Sequence, residues 1–350
     1  MIVPCALVTG ANGFLGSRLI RLLVRRGEHV KAFVRAGSNL ASLRGLPERQ
    51  VELCVGDLRS EHTVFRALAG CNRLYHLATA IAPWHRDPNR VLEPALLSTR
   101  AVLDAARRRE VRKIVVTSSA ATLGSTDHDV LMDEGHAFNL PGADPMIVAK
   151  YHAECVALEQ AEHGLPVVVV NPTLIAGPGD WRPTPGGGVL LQYLNWPATR
   201  RLRLPPSGGL NIVDVDDVAA GHQLAMAKGR AGQRYILGGD NLHVRELLQG
   251  LLPEATGLSP ALSNASRTRL IWMTRLIDAR ARLRGGPPVA TARLVRDQVC
   301  RYAWVSSAKA ESELGYTHRS ALEALSRGVR WYTERGYVVK PKNGLTPHAA

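Results

Sequence analysis

Several features that would narrow the class of this chain are scarce or missing. Of 350 residues only five are cysteine (Cys5, Cys54, Cys71, Cys155 and Cys300), and no two form a CxxC pair. That odd, scattered set argues against a paired-cysteine zinc site and a disulfide framework, and it suits a reducing compartment. No metal centre is expected. No run reaches the roughly 18 to 20 apolar residues that a spanning helix requires. The first ten residues lack the basic start and small-residue cleavage site of a secretory signal and read as a strand, so a cytoplasmic protein is expected. There is no internal repeat. Acids are in deficit, 30 against 44 lysines and arginines, which leaves a formal net charge of +14. Such an excess draws anions: a phosphorylated cofactor, an acidic substrate, a membrane surface or nucleic acid. Arginines spread over solvated helix faces give the same total. Nucleic acid is not the expected partner, because no reading motif or stacking platform accompanies the basic residues.

What is present is a regular alternation. Short apolar runs at Leu7-Val8, His29–Val34, Val51–Val55, 73–78, Lys113–Thr117 and 166–170 read as strands. Helical spacing separates most of them, for example Leu15, Leu19, Leu22 and Leu23, then 63–68 and 98–109. Strands alternating with helices predict an α/β chain with a parallel sheet covered on both faces. After about Asn171 the pattern changes, and Pro and Gly become dense (Pro172, Gly177, Pro178, Gly179, Pro183, Pro185, Gly186, Gly187, Gly188). The expected division is a cofactor domain over 1–170, an interleaved substrate region over 171–340, and a disordered tail over 341–350. Sheet and helix signals return at 211–240, and two short helices are expected within 306–337.

Thr9-Gly10-Ala11-Asn12-Gly13-Phe14-Leu15-Gly16 lies between the first strand and the first helix. Gly10 allows a tight turn, Gly13 a close approach to a diphosphate, and Gly16 close helix–strand packing, while the helix N-terminus offers free N–H groups to phosphates. In this strand–turn–helix setting the triplet indicates a Rossmann-type nicotinamide dinucleotide site. Where NAD-preferring domains place an acid, the second strand ends Phe33-Val34-Arg35. A guanidinium there suits a 2′-phosphate, so NADP is expected over NAD. Asp57, after the third strand, is placed either to accept from the adenine amino group or to cap the next helix.

With TGANGFLG, the run Gly56-Asp57-Leu58, His76-Leu77-Ala78 and Thr117-Ser118-Ser119, the sequence resembles the extended short-chain dehydrogenase/reductases. Val170-Asn171-Pro172, Val213-Asp214-Val215-Asp216-Asp217-Val218-Ala219, Tyr235-Ile236-Leu237-Gly238-Gly239, Ser307-Ala308-Lys309-Ala310 and Leu314-Gly315-Tyr316 extend the likeness. The flavour is that of the hopanoid-associated sugar epimerase group, near dihydroflavonol reductases and 3β-hydroxysteroid dehydrogenases. The resemblance spans about residues 2–338 and is weakest at 260–300. It implies cofactor contacts at Leu58, Ala78, Thr79, Thr117, Pro172 and Thr173. It also implies pairing of two copies through helices near 98–109 and 150–162, hence a homodimer.

The same resemblance implies a Ser or Thr, a Tyr and a Lys in the reaction. Ser119 and Lys150 match, with Ser118 a close rival, and Lys150-Tyr151-His152-Ala153-Glu154 fits the family's lysine-then-AE pattern. The tyrosine belongs four residues before the lysine, on the same helix face. That position is Met146, and a thioether cannot transfer a proton. Tyr151 lies five residues on and points off that face. A second departure is Ala95-Leu96-Leu97-Ser98-Thr99, where Asn-Val-x-Gly-Thr is common. The expectation is an NADP-dependent reductase or dehydrogenase with a non-tyrosine proton donor, acting on a carbonyl or hydroxyl of a small apolar or polycyclic substrate. His85, on the loop after the fourth strand, is the first candidate donor, since histidine titrates near neutral pH; Tyr151 and His152 are weaker. Two alternatives stand beside it: a sugar epimerase or dehydratase with internally recycled cofactor, and a non-catalytic dinucleotide-binding protein. Trp181, Leu190, Leu191, Tyr193 and Trp196 suggest an apolar wall or ordinary core. Segment 266–284 interleaves Arg267, Arg269, Arg275, Arg280, Arg282 and Arg284 with Leu270, Ile271, Trp272, Met273, Leu276 and Ile277, a pattern for an anionic membrane surface, a lid or a plain surface helix.

Overall fold

The architecture follows from which apolar runs are buried on one face and which on two. A computed structural model describes residues 5–78, 89–140, 142–195, 202–259, 261–283 and 291–338. Its strands are β1 Cys5–Thr9, β2 His29–Val34, β3 Val51–Val55, β4 Arg73–His76, β5 Lys113–Thr117, β6 Val167–Pro172, β7 Leu174–Ala176, β8 Leu202–Leu204, β9 Gly209–Asp214, β10 Arg234–Leu237, β11 Asp240–His243 and β12 Leu262–Asn264. Its helices are α1 Phe14–Arg25, α2 Glu61–Ala67, α3 Asn89–Arg108, α4 Pro145–Glu162, α5 Pro185–Leu194, α6 Val215–Lys228, α7 Val244–Glu246, α8 Leu252–Thr256, α9 Arg267–Leu283, α10 Ala292–Leu294, α11 Ala308–Leu314 and α12 Ala321–Glu334.

Seven strands form one sheet in the order β10-β6-β5-β4-β1-β2-β3, and every pairing in it is parallel. The β6 run VVVVNP is buried along its whole length, as a central parallel strand covered on both faces requires. At the edge, β3 leaves Glu52, Leu53 and Val55 exposed. One face of the sheet packs Leu19, Ile20 and Leu23 of α1 with Val218, Ala225 and Met226 of α6. The other packs Val64 of α2, Val102 and Leu103 of α3, and Val156 and Ala157 of α4. This is the Rossmann-type doubly wound arrangement expected. The strand order reverses between β1 and β4, which opens a crevice at the carboxyl ends of the strands.

The smaller C-terminal region carries the sheet β11-β9-β7 and the pair β12-β8. Leu190 and Tyr193 of α5 pack there with Ile212, Leu242, Leu325 and Tyr332, so both act as core. β10 returns to the main sheet beside β6. Asp214, fully buried, accepts from Arg319 and Arg327, and Asp216 from Arg18 and Arg327. This cluster ties α1, α6 and α12 together. Two expected boundaries shift. α3 begins at Asn89 rather than 98 and runs through Pro94, because Val91, Ala95, Ser98 and Thr99 are buried and that packing outweighs the missing N–H. β4 ends at His76, where the chain leaves the sheet.

Candidate active site

The glycine loop sits where β1 ends, and its geometry requires its glycines. Gly10 has φ +68°, and a Cβ on Gly16 would stand 2.1 Å from the Gly10 carbonyl oxygen. Gly13 is the N-cap of α1; no side chain caps that end and no acid lies in its first turn. The first N–H groups of a helix have no intrahelical partner. Here they form an open, positively polarised cradle. Asn12 donates from Nδ2 to the Asn39 carbonyl at 3.0 Å and accepts on its own carbonyl from Ser42 Oγ at 2.9 Å, which pins the loop to the following segment. Phe14 and Leu15 are half-buried, and Phe14 lines a cavity with Gly177, Asp180, Leu190 and Tyr332. At the end of β6, Pro172 is buried, and just past it Thr173 Oγ1 is buried without a hydrogen-bond partner among the described residues. An uncapped helix start, a loop with no room for side chains and an orphaned hydroxyl at the opposite strand end together fit a bound dinucleotide.

On the adenine side the residues are engaged differently. Asp57 accepts from the Arg59 backbone N–H at 2.9 Å and from its guanidinium at 2.6 Å, which holds the carboxyl below its usual range. Leu58 packs against the core. Arg35 is exposed at the end of β2. Thr9 stitches β1 to β4: its Oγ1 accepts from the Ala78 N–H at 3.2 Å and lies 2.8 Å from His76 Nδ1. Thr117 Oγ1 lies 2.8 Å from His222 Nε2.

The chemistry-bearing corner lies where β5 and β6 meet α4. Asp144 caps α4 by accepting from the Met146 N–H at 3.0 Å, so Met146 stands in the first turn and Lys150 one turn on. Lys150 lines a small cavity with His76, Thr99, Val116, Thr117, Ser118 and Glu154. Burial lowers its amine below the ordinary lysine range, and the Glu154 charge opposes that shift. Glu154 is itself 2% exposed. Its Oε2 accepts from Ser118 Oγ at 2.5 Å, Thr122 Oγ1 at 2.8 Å and Asn171 Nδ2 at 2.8 Å, and its Oε1 accepts from Arg234 at 2.8 Å. Ser118 is therefore committed to Glu154. Ser119 is half-buried, and its Oγ accepts a 3.3 Å bond from the Ala121 N–H, leaving its hydroxyl proton to donate elsewhere. The geometry separates these adjacent serines, one inward and structural, one outward.

Tyr151 stacks on Phe138 with ring centroids 4.5 Å apart, and its neighbour Cys155, with burial, raises its phenol above the ordinary range. A raised phenol is a poorer acid near neutral pH. His152 is exposed. His85, Thr79 and Trp196 lie outside the described residues. Two participants were quoted within motifs but given no role from sequence. His76, 2% exposed, walls the Lys150 cavity, and burial with the nearby Lys150 charge lowers it to about 4. Glu154 sits four residues after Lys150, and its only signal was as the last residue of the lysine-then-AE run. Among the described residues no cluster of His, Cys, Asp and Glu is arranged to hold a metal.

Comparison with known proteins supports the same picture. The model of the NAD dependent epimerase/dehydratase family matches residues 6–238. Sterol demethylase protein B of Methylococcus capsulatus is 34% identical over 344 residues, 95% of this chain and 99% of that protein. A 2-alkyl-3-oxoalkanoate reductase of Stenotrophomonas maltophilia is 31% identical over 333 residues, 91% of this chain and 96% of that protein. The crystal structure of gox2253 superposes with a TM-score of 0.81 at 32% identity, covering 97% of this chain and all of that one. The preference for NADP drawn from Arg35 is contradicted by the fold's solved neighbours. Several structures that share the fold were solved with NAD, among them the UDP-glucose 4-epimerase of Thermus thermophilus (TM-score 0.71, 21% identity, 94% of this chain and 99% of that one) and that of Bifidobacterium longum. Arg35 is exposed, and no hydrogen bond or ion pair among the described residues fixes its guanidinium, so this residue alone does not select between the two cofactors. The chain belongs to the NAD dependent epimerase/dehydratase family and is an NAD(P)-dependent enzyme of the oxidoreductase and epimerase type, acting on a small substrate.

Proposed function

We propose that this chain is an NAD-dependent epimerase or dehydratase of a small hydroxyl-bearing substrate, in which Lys150 moves the proton that a tyrosine moves elsewhere in the family. The observation that carries this is the placement of Lys150 on a small cavity beside Ser118, Thr117, His76 and Glu154, with Met146 one turn before it. NAD, held with its diphosphate by the Gly10–Gly16 loop and the N-terminus of α1, would supply a reversible hydride acceptor. Everything else falls to the protein. Ser119 donates its hydroxyl proton toward the substrate oxygen and orients it. Lys150, whose amine burial keeps neutral at lower pH than an ordinary lysine, takes the hydroxyl proton and later returns it. Glu154, locked by four donors, stays beneath the lysine and fixes the floor of the site. Thr173 Oγ1, unpartnered among the described residues, is free to bond the cofactor.

The names of solved neighbours with this fold, UDP-glucose 4-epimerases among them, favour a cofactor recycled within one turnover. A second reading, net reduction of a carbonyl, is favoured by the relative at 31% identity that is named a reductase. One experiment separates them. The NAD-loaded chain is incubated with a panel of sugar nucleotides and of small ketones, and product is compared with accumulated or consumed reduced cofactor. Product formed with sub-stoichiometric NAD and no net redox change is the expected result. Consumption of one reduced cofactor per product would assign the net reductase. Unchanged turnover in Lys150→Met would overturn the role given to the lysine.

A further inference from the structure

We propose that α9 is a docking surface for an anionic lipid bilayer, on which it lies flat. The inference is independent of the reaction assigned above. α9 has one acid, Asp278, and that acid is turned inward: it is 9% exposed, and its Oδ2 accepts from the Ala292 N–H at 2.8 Å. The outward side carries large apolar groups in water, Trp272 at 61%, Leu276 at 45% and Leu283 at 87% exposed. At about 100° per residue these three fall within about 40° of one another, so they form a ridge along the helix. Arg269 and Arg280 flank it on one side and Arg275 on the other. All three are exposed, and none meets an acid among the described residues. Arg267, by contrast, turns to Asp127 at 3.5 Å.

An apolar ridge with exposed, uncompensated arginines on both sides fits the boundary between acidic headgroups and acyl chains. Tryptophan is suited to that depth, with its ring apolar and its N–H toward the headgroups. The charge pattern also decides against a second copy as the occupant. Two such faces would bring arginine rows together in chains that each carry +14. No described helix is long and apolar enough to cross a membrane, which leaves lying on the surface as the mode of contact.

The helix is also wired to the site. Ala292, held by Asp278, follows Thr291, whose Oγ1 donates at 2.7 Å to Asp144, the cap of α4. Leu294 packs with Leu140, Ala143 and Ile147, the last beside Met146. Docking would therefore be felt at the first turn of the helix that carries Lys150.

The test is co-sedimentation of the full chain with vesicles of phosphatidylcholine alone and of phosphatidylcholine with an equal part of phosphatidylglycerol, at low and high salt. The expected result is binding to the anionic vesicles, lost on adding salt. Replacing Arg269, Arg275 and Arg280 together by Gln should weaken it on the order of a hundredfold, from roughly fivefold per charge. The pair Trp272→Ser and Leu276→Ser should weaken it at least about tenfold. These side chains are exposed, so the variants should melt as the parent does. No binding to anionic vesicles at low salt would overturn the proposal. So would variants that bind like the parent, or a parent dimer in light scattering that the Trp272→Ser, Leu276→Ser pair turns into monomer while vesicles go unbound.

Discussion

Acidifying the protein from pH 7 to pH 5 should draw stability out of two buried histidines, and replacing one of them should remove half of that effect. His76 is 2% exposed and His222 is fully buried. His222 Nδ1 lies 2.7 Å from the Val218 carbonyl and must donate to it, which leaves Nε2 to accept from Thr117 Oγ1 at 2.8 Å. The neutral ring thus uses both nitrogens. Burial lowers each histidine to about 4, helped at His76 by the charge of Lys150. In the unfolded chain the same rings titrate near 6.5. Between these values the unfolded state takes up protons that the folded state refuses. The contribution is complete above about pH 6.5, falls as pH drops, and is exhausted below about pH 4. At pH 5 an unfolded histidine lies about 1.5 units below its pKa while the folded one is still mostly neutral. That is about 2 kcal/mol for each ring and about 4 kcal/mol for both. Urea denaturation at pH 7 and pH 5 on the parent and on His222→Gln isolates the effect, because carboxylates common to both proteins cancel. The loss on acidification should be smaller by about 2 kcal/mol in the variant, whatever its stability at pH 7. An identical loss in the two proteins would refute the assignment of a buried neutral His222.

Other consequences are as direct. Glu154→Leu leaves Arg234 in the half-buried site without its carboxylate, and should cost about 3 to 5 kcal/mol in urea denaturation, with Glu154→Gln costing less. A Cβ on Gly187 would stand 2.1 Å from Asp180 Oδ2 and from Tyr332 Oη. Gly187→Ala should therefore break the 2.7 Å Tyr332–Asp180 bond and lower stability by about 1 to 3 kcal/mol, read from the thermal midpoint. Lys150→Arg keeps a cation that cannot deprotonate, so kcat should fall about 10²- to 10⁴-fold while NAD affinity changes little. The pH profile of the parent should report a group below the ordinary lysine range, and that limb should vanish in the variant.

Local features were legible in the sequence, and long-range ones were not. The glycine loop reads directly because its constraints lie within seven residues: Gly16 must clear the carbonyl of Gly10. Strands such as β5 and β6 read from continuous β-branched runs. Lys150 was placed by its neighbours along one helix. Ser119 could be ranked only narrowly above Ser118, since adjacent residues leaving a strand point to opposite sides and the deciding partner, Glu154, lies 36 residues away. Nor does any local pattern bring Arg234 to Glu154 across 80 residues. The start of α3 was hidden by Pro94, whose propensity penalty is overridden by buried neighbours. The cofactor was not legible because an arginine after β2 shows a charge but not what that charge will meet.

Calorimetric titration of the full chain with NAD, beside Gly16→Ala, tests the whole account at its root. One molecule of NAD should bind per chain and raise the thermal midpoint, and the variant should fold yet lose that binding, because its new methyl displaces the backbone at the start of α1. Absence of both heat and thermal protection in the parent, or equal binding by the variant, would contradict a diphosphate seated on that helix.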